Sequence, residues 1–278
     1  MDRGLGTTLC PELVEGGYGP FLTTFLNRPY VVLFLVTFLV LALLHLGILR
    51  TLIWLVWGYA IAFLSEYASI HNGFPYGLYH YIPESFAGEL VLAGVPVWDS
   101  ISYPFIAYAS YATAWFLIEP HFGKFKMDPH VSPSRPLPVV GLAAILMMLA
   151  DVVIDPTATM GEKWFLGKVH YYPDGGIYFG VPLSNFAGWL LVAFVILAGW
   201  QILEKSLLAR FRLPVWPARR FPFQGLLGPL FYFGILGFML AVQLAIGAHF
   251  LLAASFAITL CTALLVIKKS LINLSIRK

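Results

Sequence analysis

Long apolar runs alternate with short polar connections along the whole chain. Each run is about 20 residues long, which is the length of helix needed to cross the hydrocarbon core of a bilayer. Core helices of a soluble protein would be shorter and would carry polar faces. The pattern therefore predicts seven transmembrane helices, at residues 30–49, 52–70, 98–118, 137–155, 183–203, 226–246 and 248–267.

Composition supports the same class of protein. Of the 278 residues, 59% are hydrophobic and 11% are charged, and the mean hydropathy is +0.81. Soluble domains carry roughly a quarter charged residues, so this chain cannot cover a water-facing surface. We therefore predict an all-α integral membrane protein with a non-cytoplasmic segment at 1–29, a bundle of about seven transmembrane helices at 30–267 and a basic cytoplasmic tail at 268–278.

Lysine and arginine are unevenly distributed between the two sides of this predicted bundle. Four of the 17 fall in the segments on one side, and thirteen fall on the other. Because cytoplasmic loops are enriched in Lys and Arg, we expect the N-terminus outside the cell membrane and the C-terminus in the cytoplasm. The net charge of +3 is ordinary for a membrane protein and does not indicate nucleic-acid binding.

Two long loops on the predicted outer side share one pattern. Residues 71–98 and 155–189 each follow a helix with a carboxyl group near its outer end. Each loop then contains a His-Tyr pair, a Gly-Val-Pro and a Trp that opens the next helix. Residues 86–97 are too short to cross the membrane and are predicted to be re-entrant or interfacial. The shared pattern is consistent with a parallel internal repeat, in which two units commonly build one site.

Four carboxyl groups fall within or at the ends of the predicted spans: Glu66, Asp99, Asp151 and Asp155. Ionisable groups in a membrane are costly, so they predict a functional site. Asp151 and Asp155 are four residues apart and share a helix face, where their repulsion favours protonation of at least one. A protonated carboxyl group in an apolar cavity is a suitable proton donor. The alternative is that these are helix-end groups bonded to water or to caps, most of all Asp155, which precedes Pro156.

Each long loop also carries a histidine, His80 in the first and His170 in the second. These could relay protons, bind a metal or simply lie at the membrane interface. A metal site would need three or four ligands at clustered spacing, and no HExxH or similar motif is present. Iron–sulfur, zinc-finger and P-loop signatures are missing as well, so we predict neither a metal nor a cofactor.

Aromatic residues make up 16% of the chain, and many lie in the two outer loops. Some belong to the aromatic belt at a membrane interface. Others could line a cleft that holds a long apolar ligand and stabilises a carbocation by cation–π attraction. Asn185 could orient a water molecule or bond between helices. The candidate substrate-binding residues are Tyr79, Tyr81, Trp98, Trp164, Tyr178, Asn185 and Trp189.

The most specific motifs are YFGVPLSNFAGW at 178–189 and DVVIDP at 151–156, together with the stretches 66–81 and 94–98. These resemble the carotenoid-biosynthesis membrane protein family. Its characterised members are the CruF-type carotenoid hydratases, which include the bisanhydrobacterioruberin hydratase and the γ-carotene 1′-hydratase. The resemblance covers roughly residues 52–203.

The resemblance implies a lyase that adds water across the terminal C=C bond of an acyclic carotenoid, with no redox cofactor or metal. Protonation of the bond gives a tertiary cation, which water captures. Either Asp151 or Glu66 would be the acid. Asp155 or Asp99 would hold the water, and one of the loop histidines would relay its proton. The expected partners are a carotenoid from the bilayer, water and lipid, without nucleic acid.

Two other functions fit the same residues. A transporter or lipid-binding membrane protein would also use intramembrane carboxyl groups and broken loops. The polar groups concentrate near one face of the predicted bundle, with no matching set inside, and this disfavours transport. A cyclase-like or desaturase-like enzyme on an apolar polyene is the second alternative. A cyclase would share the acid and the aromatic residues but would capture the cation with an internal alkene.

Overall fold

The computed structural model describes residues 19–118, 136–163, 167–206 and 223–275. Its main elements are α-helices, which confirms the predicted all-α class. The helices are α1 (Gly19–Asn27), α2 (Pro29–Leu46), α3 (Ile48–Asn72), α4 (Val97–Ser100), α5 (Ser102–Ile118), α6 (Leu137–Thr159), α7 (Leu183–Ser206), α8 (Leu227–Ala245) and α9 (His249–Ser275). Short strands are β1 (His80–Tyr81), β2 (Val91–Leu92), β3 (Val95–Pro96) and β4 (His170–Tyr171), and single 3₁₀ turns are Pro83–Phe86, Gly161–Lys163 and Gln224–Leu226.

Within the described residues, six helices are long and apolar enough to cross a membrane: α2, α3, α6, α7, α8 with its preceding turn, and α9. The chain is therefore an integral membrane protein. The remaining predicted span, 98–118, is divided between α4 and α5, and α5 has 17 residues, at the short end of what can cross a bilayer. The predicted spans match the helices to within four residues, except that α9 continues to Ser275 in the predicted tail.

Helix α5 lies at the centre of the bundle. Every residue from Tyr103 to Phe116 is buried, and the helix contacts α2, α3, α6 and α8. Small residues let these helices approach closely, as is common in membranes. A Cβ atom added to Gly228 of α8 would lie 2.4 Å from the Cβ of Ala112 on α5.

The connection between α2 and α3 lies three residues earlier than the sequence predicts. The helices meet at Gly47, whose φ of 78° is readily adopted by glycine. Arg50 and Thr51, predicted as the turn, instead lie in the first turn of α3. There Arg50 is buried and pairs with Glu204 of α7, its Nε 2.9 Å from Oε2. The prediction of a turn at Arg50-Thr51 is therefore wrong. The charged Arg50 can lie inside the helix because Glu204 is its buried partner.

The two outer loops meet in a small antiparallel pairing. Strand β1 pairs with β4, so that Tyr81 lies opposite His170. The predicted re-entrant segment 86–97 contains a tight hairpin of β2 and β3, and Ala93 and Gly94 at its tip both have positive φ. The two His-Tyr pairs are thus direct neighbours in space, although a duplication of the sequence remains a prediction.

Candidate functional site

The outer loops and the adjacent helix ends enclose a cavity of about 120 Å³. All four predicted carboxyl groups and one predicted histidine line it: Glu66, Asp99, Asp151, Asp155 and His170. Helices α3, α4 and α6 and strand β4 supply these groups, while α2, α5 and α8 supply mainly apolar and aromatic walls. The sequence scatters these five residues over about a hundred positions, and the fold brings them together. We call this space the acid-lined cavity.

Tyr81 connects Glu66 with Asp99. Its hydroxyl group is hydrogen-bonded to both carboxyl groups, and Tyr79 donates a further hydrogen bond to Glu66 (3.3 Å). A phenol has only one hydrogen to donate, so it can donate to one carboxyl group at a time, and a protonated carboxyl group would satisfy the other contact. The carboxyl groups of Glu66 and Asp99 also contact each other. Two carboxylates that share a buried site cannot both ionise readily, so this pair is suited to holding a proton.

Asp155 lies at the centre of a second polar group, which contains a histidine and an amide instead of a second carboxyl group joined through a phenol. Its Oδ1 is 3.0 Å from Nε2 of His170, and its Oδ2 accepts hydrogen bonds from Tyr172 (2.8 Å) and Asn185 (3.2 Å). The same Asn185 amide donates to Oδ2 of Asp151 at 2.7 Å. Asn185 therefore holds the two aspartates in a fixed relation, and a histidine beside them can carry positive charge.

His170 is buried, and three tyrosine rings surround it, those of Tyr79, Tyr81 and Tyr172. Burial by itself would lower the pKa of His170, because the charged form loses water. The Asp155 and Asp99 carboxyl groups attract the imidazolium and together outweigh this effect, so that the pKa is raised above its ordinary value of 6.5. The site therefore favours proton binding by the imidazole.

The two groups correspond in sequence as well as in space. Glu66 precedes Tyr81 by fifteen residues, and Asp155 precedes His170 by fifteen residues. In each case the carboxyl group near a helix end contacts the inward side chain of its own loop's strand. The inward residues are Tyr81 and His170, which face each other across the strand pairing. Two similar frameworks thus carry different chemistry, one a carboxyl pair with a phenol and the other an aspartate with an imidazole.

Aromatic rings form the wall next to these groups. Tyr103 of α5 stacks on Trp189 of α7, with centroids 4.3 Å apart and an interplanar angle of 11°. Trp98 lines another side, but the Arg28 guanidinium lies 4.6 Å from the centroid of that ring. A ring face that already binds a cation is less able to stabilise another, so the Tyr103–Trp189 pair is better suited to a carbocation.

Most of the predicted substrate-binding residues lie where the sequence suggested. Tyr79, Trp98, Asn185 and Trp189 line the cavity. Tyr81 contributes through its hydrogen bonds to the carboxyl groups.

Two further predicted site residues that the structure describes do not line this cavity. His80 lies opposite Tyr171 in the strand pairing, with ring centroids 5.7 Å apart, and is not among the lining residues. Tyr178 packs against Phe186 instead, with centroids 5.5 Å apart. Trp164 lies outside the described residues. Neighbouring residues of a strand point to opposite faces. This alternation along β1 and β4 explains why His170 lines the cavity whereas His80 does not.

Sequence reasoning missed several residues of the site. Tyr103 follows Asp99 by four positions, so helical spacing could have found it. Tyr172 follows His170 by two positions, which is the spacing of one strand face. No sequence signal marks the cavity walls from α2 and α8, because apolar residues that face a cavity look the same in sequence as those that face lipid. The residues missed there are Tyr30, Val31, Phe34, Ile235 and Met239.

The described residues contain no group of three or more His, Cys, Asp or Glu side chains arranged to hold a metal ion. The four carboxyl groups are hydrogen-bonded to tyrosine or asparagine side chains, and Asp155 also lies 3.0 Å from Nε2 of His170. The arrangement places two groups suited to proton transfer on the wall of one largely apolar cavity.

Comparison with curated proteins and with solved structures found no match. Residues 27–264 match a family model described as "Carotenoid biosynthesis protein". This range contains every residue of the acid-lined cavity and extends well beyond the resemblance noted at 52–203. The chain therefore belongs to the carotenoid biosynthesis protein family, as its motifs predicted, and has a role in carotenoid biosynthesis.

Proposed function

We propose that this protein is a carotenoid hydratase, which adds water to the terminal C=C bond of an acyclic carotenoid end group. The observation that carries the proposal is the pairing of two proton-handling groups on one apolar cavity. Glu66 and Asp99 are joined through the Tyr81 hydroxyl in an arrangement suited to holding a proton, and Asp155 lies beside His170. Hydration needs a proton donor and a water-activating base, and no redox equivalent.

The Glu66–Asp99 pair is the proton donor in this proposal. A proton passes from the pair to the less substituted carbon of the isopropylidene end, and the π electrons of the bond form the new C–H bond. The other carbon becomes a tertiary cation. Both groups are then carboxylates, and the Tyr81 hydroxyl, which contacts both, donates its hydrogen bond to one of them until a proton returns.

Asp155 and His170 activate the water. A water oxygen attacks the cation, and the proton it loses passes to this pair. The product is a tertiary alcohol, and the net change is the addition of one H₂O. Tyr103 and Trp189 stabilise the cation through their ring faces until water arrives. The proton then returns to the carboxyl pair, which restores the starting state.

A cyclase on the same type of substrate remains the second candidate. Its acid and aromatic wall would be identical, but an internal alkene would capture the cation. Either outcome needs a base, which deprotonates water in hydration or the cyclised cation in cyclisation. The polar Asn185 amide beside Asp155 favours hydration, because it can help to position a water molecule. A transporter would not need a carboxyl proton shared through a phenol.

The proposal is tested by expressing the chain in a host that makes an acyclic carotenoid and measuring the mass of the extracted pigments. The expected product is heavier by one water, and its visible absorption is unchanged because the conjugated chain is intact. Asp155→Asn, which removes the carboxylate assigned to activate water, should abolish the new pigment, whereas Asp174→Asn, at an exposed position of the loop that follows α6, should retain it. Unchanged pigment with the protein present in the membrane would refute hydration.

A further inference from the structure

A second cavity, of about 100 Å³, lies beside the acid-lined cavity. It is formed by α1, α2, the segment around the β2–β3 hairpin, and α4. Its walls are mainly apolar and include Phe21, Phe25, Val32, Leu35 and Leu90. We call it the tail cavity, for the role argued below.

The polar groups at the tail cavity already have partners. The Thr24 hydroxyl donates to the Pro20 carbonyl (2.7 Å) and accepts from the Leu90 amide (2.8 Å). The Arg28 guanidinium pairs with Glu89 at 3.1 Å, and both side chains are buried. With these groups satisfied, the cavity favours an apolar ligand over one that brings hydrogen-bonding groups of its own.

Only two side chains, Val31 and Trp98, belong to both cavities. The Nε1 atom of Trp98 is buried and has no hydrogen-bond partner among the described residues. Turning the indole ring would therefore break no hydrogen bond, and only packing and the Arg28 contact hold it. Val31 and Trp98 form the boundary between the two cavities.

The acid-lined cavity is too small for a whole carotenoid. A cavity on the order of 150 Å³ accepts a molecule the size of benzene, and this one measures about 120 Å³. It has room for one isoprenoid end, whereas an acyclic carotenoid extends about as far as the hydrocarbon core of a bilayer, roughly 30 Å. The chain behind the reacting end must therefore leave the cavity along an apolar path.

We propose that this path is the tail cavity: the polyene chain next to the reacting end passes Trp98 and Val31 and lies against α1 and α2. The inference rests on the proposed function, since it names where that substrate's chain is bound. Phe21 is 56% exposed, so the tail cavity reaches the surface of the bundle, where the rest of the chain can enter lipid. The tail cavity thereby selects for chain length and the acid-lined cavity for the end group.

Filling the tail cavity tests this assignment. Val32→Trp places a large ring in it, and Leu90→Trp fills it from the opposite wall. The matched control is Leu33→Trp, on the next residue of α2, which is 63% exposed and lines neither cavity. Purified protein is given either a full-length acyclic carotenoid or a short acyclic isoprenoid of two isoprene units with the same isopropylidene end.

Both filled variants should lose about tenfold or more in kcat/KM for the full-length substrate, because overpacking excludes the chain. For the short substrate, the kcat/KM of both filled variants should equal that of the control variant. Equal losses on both substrates, or no loss relative to Leu33→Trp, would overturn the assignment.

If the wild-type protein hydrates neither substrate, the proposed function fails, and a binding readout still tests the tail cavity. The carotenoid retained per mole of purified protein is measured from its visible absorption. Val32→Trp should retain much less than Leu33→Trp. Equal retention would overturn the tail cavity as the binding site.

Discussion

Single side chains determine where a proton can reside in the acid-lined cavity. Glu66 is 3% exposed and is linked through Tyr81 to Asp99. Glu66→Gln keeps the shape and the hydrogen bonds but removes the transferable proton. We expect a loss of about a hundredfold or more in turnover, the usual size of a general-acid contribution.

The measurement for Glu66→Gln is the hydration rate of the purified variant, with its thermal unfolding midpoint as a check on folding. Asp174→Asn is the control, because its carboxyl group is exposed in an outer loop. A folded Glu66→Gln variant with wild-type turnover would remove the carboxyl pair from the mechanism.

His170 gives the site a pH dependence whose sign follows from its environment. Burial alone would lower the pKa of His170, but the nearby Asp155 and Asp99 together raise it above 6.5. The folded state therefore binds the proton more tightly than the unfolded state. This contribution to the free energy of unfolding is fully present below about pH 6.5 and is lost as the pH rises through the folded-state value.

We therefore expect the unfolding midpoint of the wild type, measured against that of His170→Gln, to be highest in mild acid and to decline toward alkaline pH. Thermal unfolding across a pH series measures this difference. A difference that grows with rising pH would mean that His170 is neutral in the folded protein and that Asp155 does not act on it.

At the scale of elements, a buried ion pair ties the start of α3 to the end of α7. Arg50 donates to both carboxylate oxygens of Glu204, at 2.9 and 3.2 Å from Nε. Removing one partner of a buried pair leaves an uncompensated charge. Glu204→Leu should therefore lower the free energy of unfolding by ~3 kcal/mol, seen as a lower unfolding midpoint in detergent.

The double variant Arg50→Leu/Glu204→Leu should regain most of that loss, because two apolar side chains can replace a buried pair. Lys205→Gln, at the exposed position next to Glu204, is the control and should change the free energy of unfolding little. A double variant as unstable as Glu204→Leu would show that the helices depend on the ion pair itself.

How far the sequence predicts these elements depends on the range of the interactions that form them. The spans follow from the length of the apolar runs alone. The buried carboxyl groups are also recognisable in sequence, because an ionisable group in a membrane is energetically costly and therefore indicates a functional site. The pairing of Tyr81 with His170 joins residues 89 positions apart, so no local pattern reveals it. Nor does any local pattern show that Arg50 is buried against Glu204.

The sequence predicts that polar groups concentrate near one face of the bundle, with no matching set inside. Two buried polar pairs in the half of the bundle away from the acid-lined cavity modify this expectation. Gln201 donates to Tyr111 at 3.1 Å, and His45 is hydrogen-bonded to Tyr108. None of these four residues lines the acid-lined cavity. They bond to one another between helices, so they are better explained as packing contacts than as a translocation path.

At the scale of the whole molecule, the charge distribution predicts that the acid-lined cavity opens on the non-cytoplasmic side. Cysteines introduced at Asp174 and at Lys205 lie at exposed positions near opposite ends of α7. In intact cells a membrane-impermeant thiol reagent should label Asp174→Cys and should reach Lys205→Cys only after lysis. The reverse pattern would place the site in the cytoplasm.

The most direct test of hydration follows the atoms of water into the product. Purified protein is given an acyclic carotenoid in D₂O, and separately in ¹⁸O-labelled water, and the product is analysed by mass spectrometry. The mechanism predicts one ¹⁸O in the new hydroxyl group and one non-exchangeable deuterium on the neighbouring carbon, both lost in Glu66→Gln. A product that gains deuterium but no oxygen would identify a cyclase, and a pigment without either label would contradict acid-initiated hydration.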